Sequence, residues 1–269
     1  MAWWKAWSEA EGKSVTGALN FDPVPDAHTL YKAMKGLGTD EQAIIDVLTK
    51  RSNMQRQQIA KSFKGQFGKD LIESLKSELS GNFERLIVAL MYSPLKYDAK
   101  ELHDAMQGER DNATLYVDTA LALQDAETLY AAGEKIRGTD EMQFITILCS
   151  RSATHLLKVF EEYQKLAGKS IEDSIKSETH GSLEDAMLAI VKCTRNVHCY
   201  FAEKLYHALK GAGTCDKTLI RVIVSRSEVD LNLIKAEFKS IAGKSLSSMI
   251  LDDTSGYYKT ALLNLCGSD

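Results

Sequence analysis

The feature that most constrains this chain is that it repeats itself. The run Gly38-Thr39-Asp40-Glu41 returns as Gly138-Thr139-Asp140-Glu141 and, more loosely, as Gly213-Thr214-Cys215-Asp216. Thirteen residues after each glycine comes Arg-Ser, at Arg51-Ser52, Arg151-Ser152 and Arg226-Ser227. Thirty residues after each arginine comes another glycine, at Gly81, Gly181 and Gly256. Self-similarity at fixed offsets marks a repeat architecture, in which one small supersecondary unit recurs along the chain.

Each copy reads as a set of short helices. Ile44, Ile45, Val47 and Leu48 follow the first Gly-Thr, with Ile145, Ile147 and Leu148 or Ile220, Val222 and Ile223 in the other copies. This i, i+3, i+4 spacing is helical. Thr39 is placed to cap that helix, with Gln42 completing a capping box and Asp40 and Glu41 complementing the helix dipole. Ser52, Ser152 and Ser227 are expected to cap the next helix, which buries Ile59, Phe63 and Phe67 in the first copy. Leu71, Ile72 and Leu75 mark another helix, and Leu86, Ile87, Leu90 and Met91 a further one. One more precedes each glycine loop, at Thr29–Met34, Thr128–Ala132 and Lys204–Leu209. The expectation is an all-α fold with about five helices per copy. Three prolines in 269 residues suit that reading.

The glycine loops carry the chemistry. In Met34-Lys35-Gly36-Leu37-Gly38-Thr39 the glycines let the backbone curl so that successive carbonyls face one point. Calcium takes six to eight oxygens, including main-chain carbonyls and a bidentate carboxylate. A carbonyl loop alone lacks negative charge, so an acid must lie nearby. Forty residues after Gly38 stands Glu78, forty after Gly138 stands Glu178, and forty after Gly213 stands Asp253. A simple helix connector would not require an acid at one offset in three copies. A nucleotide-phosphate loop is disfavoured, because no strand precedes the glycines and no final x-x-Gly follows them.

Charge and composition narrow the partners. A net charge of −4 and a pI near 5.9 argue against nucleic acid. They also mean that an anionic surface must be reached through a cation bridge or a local basic patch. Met1–Trp7, MAWWKAW, does not read as a signal peptide. No run of 18 apolar residues offers a membrane span. The five cysteines are odd in number and show no C-x-x-C spacing, which suits a reducing cytosolic compartment. The six histidines show no metal spacing, and no nucleophile–base–orienter set points to an enzyme.

Met-Lys-Gly-x-Gly-Thr, Arg-Ser and the acidic-x-x-Gly at Glu78–Gly81, Glu178–Gly181 and Asp253–Gly256 together resemble the annexin repeat. The likeness covers nearly all of the chain after about residue 21. It implies calcium (Ca2+) sites built from loop carbonyls plus an acidic cap. The implied ligands are Met34, Gly36, Gly38 and Glu78 in the first copy, and Leu209, Gly211, Gly213 and Asp253 in the last. The middle loop is one residue longer and offers Gly133, Ile136, Gly138 and Glu178. Lys35 and Lys210, beside the loops, are placed to meet lipid headgroups. Arg51, Arg151 and Arg226 are expected to be structural, bonding helix-end carbonyls.

Annexins carry four such repeats, and this chain departs from that plan. Arg151 to Arg226 spans 75 residues, but Arg51 to Arg151 spans only 100, where two periods need about 150. Between them lies an orphan first helix, Ala99–Gly108, followed by Glu109-Arg110-Asp111 in place of x-Gly-Thr. No site is expected there. The expected division is a tail at 1–21, repeat 1 at 22–95, a remnant of repeat 2 with linker at 96–120, repeat 3 at 121–195 and repeat 4 at 196–269. An exon-skipped form and an incomplete gene model both account for it.

The resemblance implies a cytoplasmic protein that sits peripherally on anionic phospholipid membranes when calcium rises. Covering lipid would also account for anticoagulant or phospholipase-inhibiting roles. The competing expectation is a helical repeat scaffold for proteins with weakened calcium loops. The tail, with Trp3, Trp4 and Trp7, is a candidate protein contact, although packing within the molecule is the simpler role. Repeat 3, without its partner, is expected to expose an apolar face and to promote self-association.

Overall fold

The computed structural model describes residues 12–36, 38–92, 117–134, 140–211 and 213–268. The tail tryptophans, the orphan segment 99–108, and Ile136 and Gly138 of the middle loop lie outside the described residues. Every regular element among those described is helical. The first repeat holds α1 (Pro23–Ala33), α2 (Glu41–Leu48), α3 (Asn53–Phe67), α4 (Leu71–Glu78) and α5 (Gly81–Met91). Then come α6 (Thr119–Glu134), α7 (Glu141–Ser150), α8 (Ala153–Ala167), α9 (Ile171–Glu178) and α10 (Ser182–Leu209). The last are α11 (Asp216–Arg226), α12 (Leu231–Ala242), α13 (Leu246–Asp253) and α14 (Gly256–Cys266). Helix α10 is two helices in one: Asn196 leaves helical geometry at φ −158° and ψ 101°. Each copy therefore has five helices.

The chain forms two compact units, residues 1–101 with 201–269, and residues 102–200. In the first unit, repeats 1 and 4 share one apolar core. Ile44, Leu48, Leu86 and Leu90 belong to the same buried cluster as Leu219, Ile223, Leu262 and Leu265. Helix α5 packs on α11 and α14, and α2 packs on α14. The second unit builds a separate core around Leu129, Phe144, Leu148, Leu156, Phe160, Tyr163, Ile171 and Ile175.

A polar lock joins repeats 1 and 4. Arg56 is only 1% exposed, yet each of its three nitrogens donates a hydrogen bond. Its Nε donates to the Leu90 carbonyl at 2.8 Å, Nη1 donates to the Leu48 and Arg51 carbonyls, and Nη2 donates to Glu228 Oε1 at 2.7 Å. The Asn53 backbone N–H also donates to the Glu228 carboxylate, at 2.9 Å. A strap at residues 13–18 crosses both repeats. Ser14 and Val15 backbone N–H groups donate to the Ser227 carbonyl, and Gln55 pairs with both backbone groups of Ala18.

Several local expectations are corrected. The N-cap of α2 is Asp40, whose side chain accepts from Ala43 N–H; Thr39 is left for another task. Ser52 and Ser152 do cap α3 and α8, the former in a full capping box with Gln55. Ser227 does not, because α11 runs one turn further and Ser227 becomes its C-cap, with its carbonyl taken by the strap. The three repeat arginines are structural, but their main partners are carboxylates. Arg51 makes a two-point bond to Asp26, and Arg151 does the same to Asp125, which also pairs with the buried His155 at 2.8 Å. Phe201 stands where the first helix of repeat 4 would place that aspartate. Arg226 lies 4.7 Å over its ring and bonds instead to Asp230.

Candidate metal centres

The first loop leaves α1 at Met34 and returns to α2 at Asp40, closed by the Asp40 N–H donating to the Ala33 carbonyl at 2.9 Å. The fourth-repeat loop closes identically, Cys215 N–H to the Ala208 carbonyl at 2.8 Å. The glycines hold left-handed backbone in matching order: φ 119° at Gly36 and 89° at Gly38, φ 128° at Gly211 and 107° at Gly213. Nothing stands within 4 Å of where a side chain would begin at any of the four. It is therefore backbone conformation and not crowding that demands glycine there.

The three acids take one structural position. Glu78, Glu178 and Asp253 are each the last residue of an eight-residue helix, α4, α9 and α13. An anion at a helix C-terminus opposes the helix dipole by about 0.3–1 kcal/mol. A placement that local stability disfavours, made three times, calls for a partner outside the helix.

The structure brings the first acid to its loop. Thr39 Oγ1 donates to Glu78 Oε2 at 2.9 Å, across 39 residues of chain. Met34 and Glu78 line a common cleft with Lys69. In repeat 4, Leu209, Gly211 and Asp253 line the equivalent cleft, together with Lys210, Lys244 and Asp252. Here Thr214 Oγ1 donates to the Asp253 main-chain carbonyl at 3.4 Å, because the shorter aspartate does not span the same gap. In repeat 3, a side chain added at Gly133 would stand 3.9 Å from Glu178 Cγ, so those two are neighbours.

Among the described residues, neither Glu78 nor Asp253 is held in an ion pair with a lysine or arginine. Nor do three or more His, Cys, Asp or Glu side chains gather anywhere among them. A cation bound here must draw mainly on main-chain oxygens, with one carboxylate, which is the hard-oxygen donor set that suits calcium.

Lys35 and Lys210 are anchored alike. The Lys35 ammonium lies 5.6 Å from the Tyr31 ring centroid, and the Lys210 ammonium 5.1 Å from that of Tyr206. Tyr31 stacks on Phe67 with centroids 4.0 Å apart, and Tyr206 meets Phe238 edge-on at 6.4 Å. Each lysine thus rests on a ring fixed by the core, which restricts its ammonium to the rim of the loop. Thr39 as partner of Glu78 was hidden behind its apparent capping role; its fixed position after the last loop glycine was the available signal. Among the described residues, no helix is long and apolar enough to cross a membrane.

The family model for Annexin matches this chain three times, at residues 25–90, 124–190 and 200–265. Annexin A8 of Rattus norvegicus is 64% identical over 326 aligned positions, which cover 100% of each chain. The solved structure of a mutant of annexin A8 with an intact N-terminus is 62% identical, with a TM-score of 0.87, over 96% of this chain and 98% of that one. The structure of a calcium-bound annexin (Sm)1 is 27% identical with a TM-score of 0.79, over 95% of this chain and 93% of that one.

Proposed function

The chain belongs to the annexin family, and on that premise we propose that it docks reversibly on anionic phospholipid membranes through calcium. Met34, Gly36, Gly38 and Glu78 would hold one ion, and Leu209, Gly211, Gly213 and Asp253 a second. Gly133, Ile136, Gly138 and Glu178 would hold a third. Calcium, when bound, would supply positive charge with coordination positions left for lipid phosphoryl oxygens. Open sites of this type have Kd values of about 10⁻⁴–10⁻³ M. Several of them on one membrane reinforce each other through effective concentration.

One observation carries this reading. An acidic residue ends the same short helix in three repeats, against its dipole, and in repeats 1 and 4 it lines a cleft with residues of the glycine loop. Binding is the function these residues perform, and the protein works as a lipid-covering module on the cytoplasmic side of membranes. Shielding lipid in this way would underlie any anticoagulant or phospholipase-inhibiting effect.

We further read 1–21 as the tail, 22–95 as repeat 1, 96–120 as a remnant of repeat 2, 121–195 as repeat 3 and 196–269 as repeat 4. An alignment of 326 positions onto a chain of 269 residues supports the loss. The test is cosedimentation with phosphatidylserine vesicles. Binding with calcium that EDTA reverses is expected. Equal binding in EDTA would favour the protein-scaffold alternative.

A further inference from the structure

Repeats 1 and 4 show how two repeats of this chain pair. The second and fifth helices of each meet those of the other: α5 packs on α14 and on α11, and α2 packs on α14. Second helix meets fifth helix in both directions, and fifth meets fifth between them, which is a two-fold plan. The positions this pairing covers are dry. Ile45 and Ile220 each stand seven residues after their loop glycine and are 0% and 5% exposed. Leu86 and Ala261 share one position of the fifth helix, Leu90 and Leu265 another, and all four are fully buried.

Repeat 3 has the same two helices, α7 and the part of α10 before Asn196, but the corresponding positions are uncovered. Ile145 and Ile190 are only half-buried, at the margin of the repeat-3 core, and Ala186 is exposed. Cys149 is exposed where Thr49 of repeat 1 is buried. The helix also lacks charge. Between Glu141 and Arg151 the chain runs Met-Gln-Phe-Ile-Thr-Ile-Leu-Cys-Ser, whereas α2 carries Asp46 and α11 carries Lys217 and Arg221. A surface helix normally turns charged residues to water. A partly exposed helix that turns none is suited to being covered.

We infer that this face of repeat 3 pairs with the same face of a second copy of the chain about a two-fold axis. The pairing repeats between molecules the packing that joins repeats 1 and 4 within one. Two observations select a second copy over an unrelated partner. The template lies in the chain itself, where two faces built on the same plan already fit. A two-fold contact also sets each surface against itself, so like charges near the axis would repel. A face without charge is what self-pairing requires. Ala186 lies on the helix that meets its own counterpart in the template, and its exposure in repeat 3 marks it as facing the missing partner. Contacts between domains of this kind bury about 600–1,500 Å². That is at the low end of what holds a dimer, so the pairing is reversible and depends on concentration. It needs no calcium and is independent of the membrane reading.

The test is sedimentation velocity of the full, lipid-free chain in EDTA with a reductant, over a range of concentrations. The wild type should pass from monomer to dimer as concentration rises and stop there. Ala186→Glu and Ala186→Lys each set a charge against its own copy across the axis, and each should weaken dimerisation about tenfold or more. Mixed in equal amounts, the two variants should dimerise again, because opposite charges then meet. Cys149→Asp, on the other helix of the face, should give a similar loss. These positions are exposed, so the helix content of the variants should match the wild type. The control is Met54→Glu, which removes an apolar residue 72% exposed in repeat 1 and should leave the dimer unchanged. The proposal is overturned if the wild type stays monomeric throughout, as it would if another segment of the chain covers the face. It is also overturned if assembly grows past the dimer, or if any of the three face variants dimerises like the wild type. The same holds if the Glu and Lys variants fail to restore each other, or if Met54→Glu weakens the dimer as much as they do. Failure of the calcium reading would leave all these results unchanged, so the two fail separately.

Discussion

Thr39 and Glu78 are hydrogen-bonded at 2.9 Å, hydroxyl to carboxylate, joining the end of the first glycine loop to the end of α4. The two residues belong to separate turns, and this bond aims the carboxylate at the loop before any ion arrives. Asp253 lacks this support, because Thr214 bonds to its main chain.

Thr39→Val should therefore weaken calcium binding at the first loop. Losing one hydrogen bond to a charged group of about 1 kcal/mol corresponds to roughly a fivefold weaker site. Calorimetric titration of lipid-free T39V/D253A against D253A isolates the first loop from the fourth. An unchanged affinity would show that Glu78 needs no positioning.

The Arg56–Glu228 lock predicts where the first unit is most easily broken. Glu228→Ala leaves a buried guanidinium without its carboxylate. The cost should be roughly 2–3 kcal/mol, below the full value for a buried pair because Glu228 is 26% exposed. Differential scanning calorimetry should show the transition of repeats 1 and 4 shifted down. Adding Arg56→Met should deepen the loss, since it strips the Leu90, Leu48 and Arg51 carbonyls of their donor. A shift of under about 0.5 kcal/mol would mean that the backbone bonds of Arg56 suffice alone.

Acid should loosen repeat 3 through Asp125. Burial raises the pKa of this carboxyl, but hydrogen bonds and charge from Arg151 and His155 outweigh burial and hold it below the ordinary range. Its folded pKa lies below its unfolded one. The resulting stability is fully present above about pH 4 and fades as pH falls through the folded value. Urea midpoints measured downward from neutral pH should drop in that window. Asp125→Asn should be less stable at neutral pH and should flatten the acid limb. An identical acid limb in the variant would assign the loss to other carboxylates.

Leu123, Met142, Leu157 and Leu166 are 40%, 65%, 42% and 39% exposed in the 102–200 unit. Apolar surface of this kind promotes association. The chain should melt below annexin A8 of Rattus norvegicus and scatter light increasingly with concentration. Met142→Glu with Leu157→Glu should reduce that scattering. A monodisperse monomer with an equal melting temperature would contradict the prediction.

Much of this was legible in the residues because it rests on short-range rules. The apolar periodicity of Ile44–Leu48 or Leu86–Met91 gives helices, and the offset of 40 from Gly38 to Glu78 is arithmetic on the chain. What stayed hidden depends on which of two nearby polar groups wins a local competition. Thr39 and Asp40 both suit a cap, and only the three-dimensional reach of Glu78 decides between them. Ser227 follows the same Arg-Ser motif as Ser52, yet the strap takes its carbonyl and α11 runs on. Arg226 required Asp230 because Phe201 fills the site of the usual aspartate. Lys69 and Lys244 repeat as regularly as the acids, but nothing in the sequence places them in the same clefts.

On the proposed reading, loop and acid together hold the ion that joins protein to membrane. The most direct test is a calcium titration of phosphatidylserine vesicle binding by the wild type, Glu78→Ala, Asp253→Ala and the double variant. Each single variant should raise the calcium requirement. The double should raise it far more than either, because the sites reinforce one another on one surface. Circular dichroism should show unchanged helix content, since both acids are exposed at helix ends. A double variant that binds at the wild-type calcium concentration would contradict the account.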